Sequence, residues 1–205
     1  EEPPPNTLFL LVSNAEGRLP VTIRSRTRVL RLAPLADAPL AAAVRAALAR
    51  NEIEADEKNL GLAMALSQGS ARRALELVTG EGIALYDQIV ATLAALPELD
   101  GAKVQRQAEK LASVAETEQF ELYLALLLGL FERLVRYGAT GEGLVGKEEK
   151  LAKDLVSLDN LPAWADAWEA IAAARAETFA LNLDRGLLVL NSWFSLQKLA
   201  SSQTS

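Results

Sequence analysis

Three arginines near the start of the chain, Arg24, Arg26 and Arg28, are spaced two residues apart. In an extended strand, every second side chain projects from the same face, so this spacing would set three guanidinium groups in one row. A guanidinium can hold two oxygens of a phosphate or carboxylate at once, which suits such a row to binding an anion. The alternative is a solvent-exposed face whose arginines pair with nearby carboxylates.

The charge of the chain is unevenly distributed. Residues 1–35 contain five arginines and three glutamates, whereas the whole chain of 205 residues carries a net charge of −6. A broad nucleic-acid surface is usually basic and uses aromatic side chains for stacking, but only 5% of this sequence is aromatic. Direct DNA binding by the arginine row is a third interpretation, and the composition argues against it.

The chain contains no cysteine and no histidine. This excludes zinc fingers, disulfide frameworks, thiol nucleophiles and catalytic triads that use histidine as the base. Carboxylates, lysine, arginine, hydroxyls and backbone amides are left for any chemistry. We therefore assign no metal ligands.

A glycine-rich segment at 141–147, GEGLVGK, matches two phosphate-binding patterns. It satisfies G-x-G-x-x-G and also the G-x-x-x-x-G-K part of a P-loop, but both patterns need a strand before the loop and a helix after it. Here a long helical segment precedes the loop, and Glu148 stands where a P-loop has the Ser or Thr that binds magnesium. The segment is therefore interpreted as a flexible connection between two helices.

The elements that would carry these residues change in type near residue 33. β-Branched residues and a two-residue alternation of side-chain type predict strands at 7–13 and 21–32. We expect 7–13 and 28–32 to pair with each other or with a second copy of the chain. After Pro34 the sequence is rich in Ala, Leu and Glu and predicts helices, with Ser70 as an N-cap and the most apolar helix at the centre. The predicted helices span about 37–50, 56–67, 71–79, 83–96, 103–114, 118–137, 147–156, 160–180 and 184–199.

The sequence also bears on location. The longest apolar run, from Leu122 to Phe131, is about half the length needed to cross a bilayer, and the acidic, Pro-rich start does not resemble a signal peptide. We therefore expect a cytoplasmic protein with no membrane partner.

Three motifs together resemble the clamp-loader subunits of bacterial DNA polymerase III, a family within the AAA+ superfamily. They are EEPPPNTLFLLVSN at the start, LPVTIRSRT from Leu19 to Thr27, and GSARRAL from Gly69 to Leu75. The segment NLDRGLLVLNSWFSLQKLA, from Asn182 to Ala200, brings the resemblance closest to the delta-prime type of subunit. The N-terminal motifs are specific in order and spacing, whereas the C-terminal half is matched mainly by its helical pattern.

The resemblance implies roles for a few residues. Arg26 matches the arginine finger that such a subunit inserts into the ATP site of its neighbour, with Thr27 standing where the family usually has Cys. Ser13 and Asn14 fall at the sensor-1 position. Arg72 matches the sensor-2 arginine of the motor subunits, although delta-prime-like subunits generally do not hydrolyse ATP, which favours an ordinary helix-surface role for Arg72.

The resemblance also implies a mainly α fold in three parts. Residues 1–33 would be a short β remnant of a truncated AAA+ nucleotide-binding domain, 34–81 a small helical lid, and 82–205 a helical-bundle collar that mediates oligomerisation. We therefore expect a C-terminal fragment with no complete active site, part of a DNA-directed DNA polymerase (nucleotidyltransferase) holoenzyme. No cofactor is expected in the fragment itself, since ATP and magnesium would lie in neighbouring subunits.

The implied function is that of a scaffold within the clamp loader. It would bind the gamma/tau and delta subunits through the collar, and reach the sliding clamp and primer-template DNA through the complex. Two alternatives remain open. One is a motor-type (gamma/tau) subunit whose own ATP site lies upstream of this sequence, and the other is an unrelated helical adaptor or DNA-binding module.

Overall fold

The computed structural model describes residues 4, 6–13, 17 and 19–202, and it divides the chain into two compact units, Glu1–Pro34 and Leu35–Ser205. Its described residues form ten α-helices and no β-strand. The helices are α1 (Val21–Arg24), α2 (Asp37–Arg50), α3 (Glu57–Leu66), α4 (Ala71–Thr79), α5 (Gly82–Ala94), α6 (Gly101–Ala112), α7 (Thr117–Thr140), α8 (Glu148–Leu155), α9 (Leu161–Leu181) and α10 (Arg185–Ser201).

The first unit differs from the sequence prediction. Residues 7–13 and 28–32 form no strand and do not pair, and residues 21–24 form the short helix α1 instead of extended chain. The apolar side chains predicted to lie in a sheet are exposed, by 81% at Leu8 and by 96% at Val12. Two short strands are at best marginally stable without further strands or a helix to cover them. The prediction that these two segments pair within one chain is therefore wrong, whereas their pairing with a second copy of the chain stays a prediction.

The second unit begins with three helices around a small apolar cluster. Leu40, Val44 and Leu48 lie one turn apart on one face of α2 and pack with Leu60 of α3 and Ala74 of α4. The side chains of two N-cap residues fix the starts of α3 and α4. Asp56 accepts from the amide of Asn59 at 3.0 Å, and Ser70 accepts from the amide of Arg73 at 3.3 Å.

The larger core is built around α7. This helix contributes ten buried residues and packs against α5, α6, α8 and α9, while α10 packs against α6 and α9. Tyr123 of α7 and Trp193 of α10 are both fully buried, and the indole Nε1 donates to the phenolic oxygen at 2.6 Å. On α9, Trp164 and Ile171 lie seven residues, or about two turns, apart on one face, and both are buried.

The helical prediction is confirmed, because all nine helices expected after Pro34 are present. Asp37–Arg50 and Ala71–Thr79 have the predicted bounds, and the other helices begin and end within about three residues of theirs. A division of this unit into lid and collar near residue 81 stays a prediction. No helix in the described part of the chain is long and apolar enough to cross a membrane.

The buried phenol of Tyr123 predicts a loss of stability at alkaline pH. Burial raises the pKa of Tyr123 above its usual value, so above about pH 10 the unfolded chain loses a proton that the folded chain keeps. The free energy of unfolding should then fall by about 1.4 kcal/mol per pH unit for this residue. Urea unfolding followed by tryptophan fluorescence between about pH 9 and pH 11 measures this slope.

Tyr123→Phe separates this effect from general alkaline denaturation. The variant should lose about 1–3 kcal/mol at neutral pH, since the indole of Trp193 loses its acceptor. It should also have a shallower slope above pH 10. A slope equal to that of the wild type would contradict the assignment.

Candidate functional site

The segment from Pro20 to Thr27 folds into a single helical turn that carries Arg26. The carbonyl oxygen of Pro20 accepts hydrogen bonds from the amides of Ile23 at 3.0 Å and Arg24 at 3.1 Å. A proline at the start of a helix needs no donor and has its φ already fixed near the helical value, here −53°. The LP-x-T-I part of the motif therefore begins a turn and not a strand.

Hydroxyl groups close the other end of this turn. The Oγ1 of Thr27 donates to the carbonyl oxygen of Ile23 at 2.8 Å, and the Oγ of Ser25 donates to that of Thr22 at 3.3 Å. The amide of Arg26 donates to Ile23 at 3.2 Å, and the Arg26 side chain is exposed. Thr27, at the position where the clamp-loader motif usually has Cys, thus supplies a hydrogen bond that holds the backbone beside Arg26.

The single row of three arginines is not formed. The row required an extended strand from Arg24 to Arg28, but Arg24 ends α1 and Arg26 lies in the turn that follows. All three side chains are exposed. Local hydrogen bonds of the proline-led turn replace the strand ladder on which the one-face arrangement depended.

The sensor-like residues are distributed between the two units. Ser13 is exposed and lies outside any helix, in the unit that also contains Arg26, whereas Asn14 lies outside the described residues. Arg72 lies in the first turn of α4, in the second unit. The sensor roles of all three residues stay predictions.

Arg72 forms an ion pair on its own helix. Its Nε donates to Glu76 Oε1 at 2.6 Å, one helical turn away, and this hydrogen bond raises the pKa of Arg72. Both side chains are exposed, by 85% at Arg72 and by 45% at Glu76. This geometry is that of a helix-surface pair, the interpretation that the sequence analysis favours.

The glycine-rich segment connects α7 to α8, as predicted. Gly141 ends α7 in the left-handed conformation, with φ 76°, and its amide donates to the carbonyl oxygen of Tyr137 at 2.8 Å. At the other end, the carboxylate of Glu148 accepts from the amide of Val145 at 2.9 Å. An amide that a P-loop would direct at phosphate is therefore bound to a side chain of the chain itself.

Glu148 is the centre of a buried polar network. Its carboxylate receives three hydrogen bonds from the Arg133 guanidinium, the shortest at 2.6 Å, and one from the Tyr86 hydroxyl at 2.7 Å. The exposed side-chain fractions are 6% for Arg133 and 0% for Glu148. Burial and the neighbouring carboxylate raise the pKa of Tyr86, so the phenol remains a donor. The loop between α7 and α8 is thereby attached to α5 and α7.

Sequence reasoning did not find this network. Glu148 entered the sequence analysis only as the residue that breaks the P-loop pattern. A carboxylate at the first position of a helix does signal hydrogen bonding to nearby amides. Its other partners lie 15 and 62 residues away along the chain, however, so no local pattern points to them.

The comparison with protein families matches only the N-terminal segment. Residues 1–36 match the family described as DNA polymerase III, delta subunit. No curated protein and no solved structure matches the chain. The matched segment includes the turn that presents Arg26 and ends just before α2, and it supports a relation to the clamp-loader family of DNA polymerase III.

Glu148→Gln should strongly destabilise the helical unit. The variant leaves the Arg133 guanidinium buried opposite a neutral amide, which costs about 3–5 kcal/mol when one partner of a buried ion pair is removed. Urea unfolding followed by circular dichroism measures the change.

The adjacent residue provides a matched control. Glu149→Gln makes the same chemical change in an exposed pair with Lys153, whose side chains are 69% and 62% exposed, and should leave stability almost unchanged. Arg133→Met combined with Glu148→Leu should recover much of the loss, because no unpaired charge remains. Equal effects of the two Gln substitutions would refute the structural role of Glu148.

Proposed function

We propose that this chain is a delta-prime-type subunit of a bacterial DNA polymerase III clamp loader. In this proposal it acts as a scaffold and supplies Arg26 as an arginine finger to the ATP site of a neighbouring subunit. The observation that carries the proposal is the family match over residues 1–36. This segment contains the LPVTIRSRT motif, and the resemblance of that motif to the clamp-loader motif is our reason for assigning Arg26 as the finger.

The local structure around Arg26 supports this role. A finger must be accessible to a partner and held on a backbone that does not have to reorganise at the moment of reaction. The Arg26 side chain is exposed, and its turn is closed by hydrogen bonds from the amide of Arg26 and the hydroxyl of Thr27. Arginine suits the task because its planar fork holds two phosphoryl oxygens at once.

The helical unit would supply the contacts with other subunits. An Ala- and Leu-rich bundle with a complete internal core can present the outer faces of its helices to partners. In the proposed assembly these partners are the gamma/tau and delta subunits, while the sliding clamp and primer-template DNA are reached through the complex. ATP and magnesium are bound by neighbouring subunits, and the protein works in the cytoplasm.

The decisive test is Arg26→Ala in the full-length protein, assembled with its motor and delta subunits. An arginine finger contributes about 10³–10⁵-fold to phosphoryl transfer, so hydrolysis at the one neighbouring site should nearly stop. DNA-stimulated ATP hydrolysis, measured in single turnover, and loading of a labelled sliding clamp report the effect.

Three further variants make the test specific. Arg24→Ala and Arg28→Ala remove two other exposed arginines of the same segment and should leave hydrolysis close to that of the wild type. Arg26→Lys keeps the charge but loses the two-oxygen grip, so it should not restore hydrolysis. Unchanged hydrolysis with Arg26→Ala would overturn the finger assignment, and full rescue by lysine would reduce Arg26 to an ordinary ion-pair residue.

A further inference from the structure

We propose that a basic groove between α5, α6 and the start of α7 binds an acidic, extended peptide segment of a partner protein. The groove has a volume of about 390 Å³, which is within the size range of ligand sites. All of its lining residues lie in the second unit. The proposal does not depend on the clamp-loader assignment.

The cations of the groove lie along one face of α6. Lys103, Arg106 and Lys110 are spaced three and four residues apart, so successive side chains are neighbours on the helix surface. The two steps along the helix axis are about 4.5 Å and 6 Å, and alternate residues of an extended peptide are about 6.7 Å apart. Long, flexible Lys and Arg side chains bridge this difference, so acidic residues at alternate positions can each meet one cation.

The groove is locally positive in a chain that is negative overall. Its lining contains three cations and one carboxylate, Glu81, in a protein of net charge −6. Lys110 lies 3.8 Å from Glu81, while Lys103 and Arg106 are exposed and have no salt bridge within the described residues. Two cations are therefore available to an incoming carboxylate.

An amide at the groove wall favours a ligand that also carries a hydrogen-bond donor. The Nε2 of Gln119 donates to Glu81 at 3.3 Å, which fixes the opposite atom as the carbonyl oxygen. That oxygen is covered and accepts no hydrogen bond within the described residues. A ligand N–H would satisfy this oxygen if the Gln119 side chain turned outward and exchanged its bond to Glu81 for one to the ligand.

A ligand that carries both a negative charge and hydrogen-bond donors matches an acidic peptide. A peptide has a backbone N–H at nearly every residue, and its Asp or Glu side chains supply the negative charge. The sugar–phosphate backbone of DNA supplies negative charge but only acceptors, so its donors are limited to base edges. The groove chemistry therefore fits an acidic peptide better than a nucleic acid.

Fluorescence anisotropy of the intact chain with a labelled peptide tests the proposal. The probe is a fluorescein-labelled octapeptide of alternating Glu and Ser, and the matched peptide has Gln in place of every Glu. We expect the acidic probe to bind with a Kd of about 100 µM at low salt and more weakly as salt is added. The Gln peptide should bind at least about tenfold more weakly.

Charge-reversed variants assign the binding to the groove. Lys103→Glu with Arg106→Glu should weaken binding at least about tenfold, and the neutral pair Lys103→Gln with Arg106→Gln should weaken it less. Arg50→Glu with Lys150→Glu makes the same change in net charge at exposed positions of α2 and α8, and should leave the Kd within about twofold. Circular dichroism verifies that every variant is folded.

Several results would overturn the proposal. The proposal is wrong if the acidic peptide does not bind at about 1 mM, if the Gln peptide binds equally well, or if the groove variant and its control lose equal affinity for the acidic peptide. A labelled oligothymidylate of the same net charge provides the remaining arm. If it binds more tightly than the peptide and loses its affinity in the groove variant, the ligand class is nucleic acid and the peptide proposal is wrong.

Discussion

The carboxylate of Glu148 couples several parts of the helical unit through one buried charge. It accepts hydrogen bonds from Arg133 of α7, from Tyr86 of α5 and from the amide of Val145 in the loop before α8. A buried charge is tolerated only while its partners stay in place, so the positions of α5, α7, α8 and the glycine-rich loop depend on one another. The loop that resembles a phosphate-binding loop is thus held in place by Glu148.

Different interactions define the structures of the two units. The second unit has a large apolar core around α7 and a smaller one among α2, α3 and α4, whereas apolar side chains of the first unit, such as Leu8 and Val12, are exposed. In the first unit the defined geometry around Arg26 comes from the hydrogen bonds of a single turn. The segment with the family match, residues 1–36, is therefore not the part of the chain that contains the core.

The two proposed contacts use cations in different ways. Arg26 is a single exposed guanidinium on a short turn, suited to reaching oxygens that a partner holds. The α6 groove sets Lys103, Arg106 and Lys110 along a rigid helix, so that several weak charge contacts act together. In the first proposal, Arg26 acts on one reacting group and needs the two-oxygen grip of arginine. In the second proposal, the groove recognises a charge pattern, for which lysine is sufficient.

Local patterns in the sequence determined the helices after Pro34. The apolar spacing of Leu40, Val44 and Leu48 and the cap at Ser70 predict α2 and α4 with their observed bounds, because helical hydrogen bonds join residues four apart. The motif order around Arg26 likewise identified the segment that matches the polymerase III family. Only the tertiary structure decided the rest. A strand needs a partner that the sequence does not identify, so the strand prediction for residues 7–13 was wrong. The pairing of Glu148 with Arg133 exists only because folding brings α7 and α8 together around a charge that water no longer screens.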